Sequence, residues 1–156
     1  MAAQKIAMKR IISTSNWSEW VDIEKARSTN GPFNYLGIYQ IRAATTSGKP
    51  ISIQRLAGVD ASGVLYIGRS GFNSNRSIAN RIGEFVRKQH SGGITYAKAK
   101  PVLDERPRFS KHCLQVKAKF LKTDQIPKAE SEALDEYFLE YAELPPCNSA
   151  RVKCQK

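Results

Sequence analysis

The chain has 156 residues, with 25 Lys and Arg against 14 Asp and Glu, a formal charge of +11 and a sequence pI near 9.8. That length suits one domain able to bury its own core, and the composition excludes a low-complexity chain. The excess of cations points to a polyanionic partner, because Lys and Arg that neutralise phosphates release condensed counterions. Three cysteines (Cys113, Cys147, Cys154) and two histidines (His90, His112) lack the spacing of a disulfide framework or a zinc site. No apolar run approaches the ~20 residues that span a bilayer. Lys5, Lys9 and Arg10 are not followed by an adequate signal-peptide core, so no membrane contact and a reducing cytoplasm are expected.

Residues 1–14 read as a weakly ordered or edge segment. Asn16-Trp17-Ser18-Glu19 has capping-box spacing, and Trp17, Trp20 and Val21 recur at helical intervals, which predicts a helix over 17–27. Residues 36–42 form a β-rich run, and Ile51, Ile53 and Arg55 alternate as a second strand. Asp60-Ala61-Ser62-Gly63 is a turn signal before a strand over 64–68. A loop over 69–75 leads into a helix over 76–89 with the stripe Ile78, Ile82, Phe85 and Val86, and Arg81 sits at its edge. Ser91-Gly92-Gly93 reads as the end of that helix, and 94–112 as basic and irregular. Leu114, Val116, Ala118 and Phe120 alternate with Gln115, Lys117 and Lys119, a half-buried strand with a basic outer face. A last helix over 128–143, with Leu134, Phe138 and Tyr141 inward, stops at Pro145-Pro146. The order implies an α+β fold with a small antiparallel sheet of three strands or slightly more, flanked by helices. The expected organisation is an N-terminal extension over 1–30 with one helix, a main domain over 31–150 and a tail over 151–156, one compact unit in all.

Charge is unevenly spread. Six of the 14 acids fall between Glu130 and Glu143, a segment without Lys or Arg, while the other 142 residues carry 25 basic and 8 acidic side chains. An acidic helix in so basic a chain is either a solvated face or a means of bringing a cation to a phosphate-binding surface.

Gly37-Ile38-Tyr39 on one strand and Tyr66-Ile67-Gly68 on a later one resemble the two halves of the GIY-YIG nuclease signature. Arg81 on the next helix, Glu136 on the C-terminal helix, and then Pro145 and Asn148, follow in the family's order. The resemblance covers residues 33–149 and implies a GIY-YIG-like fold, a three-stranded antiparallel sheet with flanking helices. The long interval between Tyr39 and Tyr66 is similar to the restriction-enzyme and phage branches, which would place the protein in a bacterial or phage-infected cell.

The activity so implied is Mg2+-dependent DNA endonuclease action, with Mn2+ able to substitute, leaving 5′-phosphate and 3′-hydroxyl ends. Glu136 would hold the metal; by its own pattern, without the resemblance, it reads as part of a solvated stripe with Glu132 and Glu140, its i±4 neighbours. Tyr39 would take the proton from water, which requires Arg69, Arg81 and the metal to favour phenolate. Tyr66 would orient water or phosphate. Arg81 would clamp the scissile phosphate, or else pair with Glu84. Arg69 would stand near the phosphate, and Asn148 would brace the site. Phe85 departs from the pattern, since relatives place a His or Tyr one turn after the helix arginine; His90 and His112 are the candidate substitutes. Double-stranded DNA would be contacted by Arg76, Arg87, Lys88, Lys98, Lys100, Arg106, Arg108, Lys111, Lys117 and Lys119. A symmetric double-strand cutter would act as a homodimer. The competing classes are a catalytically inactive nucleic-acid-binding module on the same fold and a ribosomal-type basic protein.

Overall fold

The structure is a computed structural model that describes residues 16–71 and 75–149. The expected edge segment over 1–14, the middle of the loop over 69–75, and the tail over 151–156 with Cys154 lie outside the described residues. Elements run β1 (Val21–Asp22), α1 (Ile23–Ala26), β2 (Gly37–Ala44), β3 (Ile53–Arg55), β4 (Gly58–Asp60), β5 (Val64–Arg69), α2 (Ile78–Val86), α3 (Ser91–Asp104), β6 (Cys113–Phe120) and α4 (Ile126–Tyr141). The fold is α+β. A four-stranded antiparallel sheet has the order β1-β6-β2-β5, and β3 and β4 form a separate hairpin.

Strand β2 is central because both its faces are buried. Tyr39, Ile41 and Ala43 point to one side with Val116 and Ala118 of β6. That side carries the main core, closed by Ile78, Ile82 and Phe85 of α2 and completed by Phe33 and Ile23. The other side is covered by α4, whose Leu134 and Tyr137 pack on Val64 and Ile67 of β5, with Trp20 at the margin. On α4 the buried positions Ile126, Glu130, Leu134 and Tyr137 recur every three or four residues, as a helix lying on a sheet requires.

Several elements differ from the sequence expectation. The stretch expected to be one helix over 17–27 instead adds the short strand β1 to β6 through the pairs Val21↔Val116 and Asp22↔Gln115, and only Ile23–Ala26 is helical. Ser18 pins the preceding segment, donating its N–H to the Ala118 carbonyl (2.8 Å) and accepting the Ala118 N–H on its Oγ (3.0 Å). Strand pairing outcompetes the helical spacing because β6 would otherwise present an open edge. Helix α2 ends at Val86 rather than near 89. Residues expected to be irregular form the 14-residue α3 instead, begun by His90 as N-cap and with Pro101 inside it.

The turn at Asp60 matches its signal. The buried Asp60 carboxylate accepts the N–H groups of Ser62, Gly63 and Val64 and the Tyr137 hydroxyl (2.8 Å), tying the start of β5 to α4. Strand β5 lies at the sheet edge. Its outer side is taken up by the C-terminal segment, with Cys147 N–H donating to the Leu65 carbonyl at 2.8 Å. Among the described residues no helix is long and apolar enough to cross a membrane.

Candidate active site

The two glycine–tyrosine triplets are cross-strand neighbours. Register pairs Tyr39 with Gly68, Gln40 with Ile67 and Ile41 with Tyr66. The glycine at 68 follows from this pairing: a Cβ there would stand 2.6 Å from Tyr39 Cζ, 2.6 Å from Tyr66 Cε1 and 2.7 Å from the Tyr39 hydroxyl. The two rings close over a bare backbone, their centroids 6.1 Å apart and tilted by 49°. Gly37 is needed for a different reason, since a Cβ would lie 2.0 Å from the Lys119 carbonyl oxygen across the β2–β6 pair.

From Tyr66 an aromatic series continues into the helical layer. Tyr66 stacks on His90 (5.5 Å, 27°) and tilts against Phe85 (5.6 Å), and Phe85 stacks on Tyr96 (5.7 Å). Gly92 and Gly93 sit in α3 because Tyr66 and α2 press on them: a Cβ at 92 would be 2.5 Å from Tyr66 Cε2, and one at 93 would be 2.2 Å from the Phe85 carbonyl oxygen. The pair read as a helix terminator is therefore a seat for the second tyrosine.

Tyr39 is fully buried, and among the described residues its hydroxyl has no hydrogen-bond partner. Burial drives its pKa well above the usual phenol value; Tyr66 and the carboxylates Glu130 and Glu84 push the same way, and Arg81 opposes them. Tyr66 is raised likewise, by burial first, against the Arg81 charge. Free Tyr39 is thus a neutral phenol. Without a metal, desolvation outweighs the Arg81 charge, so the expected phenolate depends on the metal as well as on the guanidiniums.

Of the carboxylates on α4, the one whose charge acts on both tyrosines is Glu130, not Glu136. Glu130 lies on the buried face of α4, at 8 % exposure. Arg69 Nε is 3.1 Å from its Oε2, but out of line, so that buried oxygen makes no hydrogen bond. Burial raises the Glu130 pKa, and Arg69 and then Arg81 hold the rise back. Glu136 is exposed, as are Glu132 and Glu140. It follows Leu134 by two residues, about 200° around the helix from the sheet-facing side. Glu136, the expected metal ligand, therefore lies in the solvated stripe and away from the sheet, while Glu130 is the acid that α4 turns inward.

Arg81 is half-buried and ion-paired with Glu84, whose other oxygen holds Arg76. Both guanidiniums share one nearly buried carboxylate. This is the pairing weighed against phosphate binding in the sequence. The Glu84 pairing is the one observed, and the same Arg81 charge acts on Tyr39, Tyr66, His90 and Glu130.

His90 enters the cluster and His112 does not. The His90 Nδ1 accepts the Gly93 N–H in a long cap of 3.5 Å, and its buried Nε2 is unpartnered among the described residues. Burial and the neighbouring Arg81 lower its pKa, so the ring is neutral. With Nδ1 accepting, the proton sits on Nε2. His112 is locked elsewhere, with Nε2 2.8 Å from the Tyr96 hydroxyl and Nδ1 2.8 Å from the Phe109 carbonyl oxygen.

Asn148 touches the site through the backbone. Its Oδ1 accepts the Ile67 N–H (3.0 Å) and its Nδ2 donates to the Ile67 carbonyl (2.9 Å), mimicking a strand partner on the free side of β5. Asn148→Asp keeps the acceptor and turns the donor into an oxygen facing a carbonyl. A loss of about 1–3 kcal/mol is expected, read as a lower Tm in calorimetry, while Asn148→Gln should lose the fit of both bonds.

The expected DNA-contacting cations do not form one surface around this cluster. Lys117 and Lys119 pair with Gln40 and Ile38 on the sheet face opposite Tyr39. Arg108 is engaged by Ser52, and Lys100 by Asp104. Arg76 stands at the site through Glu84; Arg87, Lys88, Lys98, Arg106 and Lys111 are exposed on α2, α3 and the turns around them. Among the described residues no three His, Cys, Asp or Glu side chains cluster as a ready metal cage. Comparison with known proteins returns no match, whether by family model, by curated sequence or by solved structure.

Proposed function

We propose that the protein is a divalent-metal-dependent DNA endonuclease of the GIY-YIG type, with Tyr39, Tyr66, Arg69, Arg81, His90 and Glu130 as its active site and Asn148 and Gly68 as its supports. The observation that carries this reading is the meeting of a buried carboxylate with two tyrosines and two guanidiniums at the paired triplets. That set matches what phosphodiester hydrolysis asks for: cations for the phosphorane charge, a hard oxygen ligand and acid–base groups beside the water.

The residues fit Mg2+. It takes oxygen ligands, keeps several waters and needs only one or two protein carboxylates besides phosphate oxygens. Glu130 offers a buried oxygen that makes no hydrogen bond among the described residues, so an incoming dication would compete only with the Arg69 ion pair for it. When bound, the metal would supply Lewis acidity at the phosphate and lower the pKa of a coordinated water. Arg81 would exchange part of its hold on Glu84 for the scissile phosphate, with Arg76 able to follow onto a neighbouring phosphate because the same carboxylate holds both. Tyr39, a neutral phenol beside the Tyr66 hydroxyl, would donate or accept a hydrogen bond at the attacking water. His90 Nε2–H would donate toward phosphate or the departing oxygen, the task that Phe85 cannot perform.

Loose-preference phage or mobile-element nicking and site-specific restriction both use this chemistry. The test is relaxation of supercoiled plasmid. Nicking is expected with Mg2+ or Mn2+, and none in EDTA; nicking that persists in EDTA, or fails with both metals on duplex and single-stranded substrates, would sink the proposal. Binding without cleavage would favour an inactive module on the same scaffold.

A further inference from the structure

The protein's two tryptophans, Trp17 and Trp20, meet two cations on the sheet face turned away from Tyr39. Lys117 Nζ lies 5.0 Å from both ring centroids, and the Arg42 guanidinium carbon lies 4.1 Å from that of Trp20. The antiparallel register builds the arrangement. Lys117 faces Gln40 and Arg42 faces Gln115, so the two cations are diagonal neighbours on adjacent strands. The backbone bonds between Ser18 and Ala118 fix the tryptophan segment over them.

Two like charges brought together in a partly desolvated place normally share an acid. Here, among the described residues, no Asp or Glu lies within ion-pair distance of either. The acid that acts on Lys117 is Asp60, and its oxygens are already taken by three turn N–H groups and Tyr137. Among the described residues Arg42 hydrogen-bonds through its Nε alone, to Gln115 Oε1 at 2.9 Å, which orients the guanidinium and leaves its Nη groups for an acceptor. Burial holds Arg42 and Lys117 below their ordinary pKa, and for Lys117 the Arg42 charge adds to it. Cation–π contact recovers part of that cost, but supplies no hydrogen-bond acceptor to Nζ or Nη. An anion between the two supplies both.

We propose that Arg42 and Lys117, walled by Trp17 and Trp20, form a second binding site for the phosphate group of a nucleotide unit, with the ligand's flat apolar part against the tryptophans. The site shares no residue with the proposed active site, and it lies on the sheet face away from Tyr39 and Tyr66. Its ligand is therefore a second stretch of nucleic acid, or a free nucleotide, and not the scissile phosphate. Aromatic rings beside cations suit a nucleotide better than a bare oxyanion, since a base can stack where a sulfate cannot.

Both tryptophans being here, intrinsic tryptophan emission reports this site alone. The full-length protein in EDTA is titrated with a 12-residue thymidine oligonucleotide, with thymidine monophosphate and with inorganic phosphate at matched ionic strength. Saturable change with the oligonucleotide is expected. Lys117→Gln and Arg42→Gln should each weaken it at least about tenfold, and each should lower the slope of log affinity against log salt by about 0.7. A response to the oligonucleotide only assigns the site to a strand; an equal response to the monophosphate assigns it to a free nucleotide. Gln40→Glu, which keeps both cations and sets a carboxylate beside Lys117, should weaken binding too, and stands in should either charge-removing variant melt early. Unchanged emission in all titrations, a response to inorganic phosphate equal to that of the nucleotides, or wild-type affinity in the variants overturns the proposal. Because Glu130→Gln leaves this site intact, the signal survives in that variant whether or not the chain cleaves DNA.

Discussion

Glu130→Gln is expected to lower plasmid nicking by on the order of 10³-fold while leaving the protein folded and able to bind DNA. Glu136→Gln should nick as the unaltered chain does, since an exposed stripe residue away from special contacts changes stability by less than ~0.5 kcal/mol. The pair of variants separates the two glutamates by one assay. Stability supplies a second readout with the opposite sign. The folded-state pKa of Glu130 is raised, chiefly by burial, so the folded chain binds that proton more tightly than the unfolded chain does. Its stability contribution is full below the ordinary carboxylate pKa and is lost as pH rises through the raised value. Glutamine carries no such penalty. Glu130→Gln should therefore melt above the parent at pH 7 to 8, with the gap closing toward pH 4. A variant that loses nicking and also melts lower at neutral pH would show Glu130 to be a structural partner of Arg69 instead of a metal ligand.

Gly68→Ala is the second large effect. One methyl group placed 2.6 Å from two tyrosine rings cannot be accommodated without moving them. Overpacking of this kind costs about 1–3 kcal/mol, a fall in Tm of several degrees. Activity should fall further than stability, by about 10²-fold, because a displacement near 1 Å is enough to misalign reacting groups. Kinetics should show the loss mainly in kcat, with DNA affinity close to that of the parent. Equal activity in Gly68→Ala would mean that neither tyrosine hydroxyl needs its observed place.

The strands were legible because alternation and turn chemistry are local. Asp60-Ala61-Ser62-Gly63 announced a turn that the Asp60 carboxylate does cap, and Leu114, Val116 and Ala118 announced the inner face of β6. What was misread depended on partners distant in sequence. Gly92 and Gly93 looked like a stop because nothing local reveals that Tyr66 and the Phe85 carbonyl need the space. Trp17 to Val21 looked helical because the edge of β6 is a hundred residues away. The glutamate was misplaced for a related reason. The helix stripe was read with Leu134, Phe138 and Tyr141 inward; Leu134 is buried as read, but Tyr137 rather than Phe138 is its buried companion, and this face carries Glu130 inward and Glu136 out. An acid at 8 % exposure in a run of six acids leaves no local mark; only its i+4 relation to Leu134 could have singled it out.

Position at the rim of the sheet has a further consequence for β5. A strand in the middle of a sheet offers its neighbours on each face only to that face. Around an outermost strand, groups from both helical layers can meet: Arg81 and His90 come from α2 and the start of α3 on one side, and Glu130 from α4 on the other. Among the described residues no backbone hydrogen bond joins α2 or α3 directly to α4; apolar packing through Leu134, Tyr137, Ile82 and Phe85 governs how those layers sit. Sliding one layer by a fraction of a side chain would leave every ladder bond in place and still separate carboxylate from guanidinium. The proposed activity is therefore expected to be more fragile than the fold, and conservative swaps in either apolar layer should dim nicking well before they disturb melting.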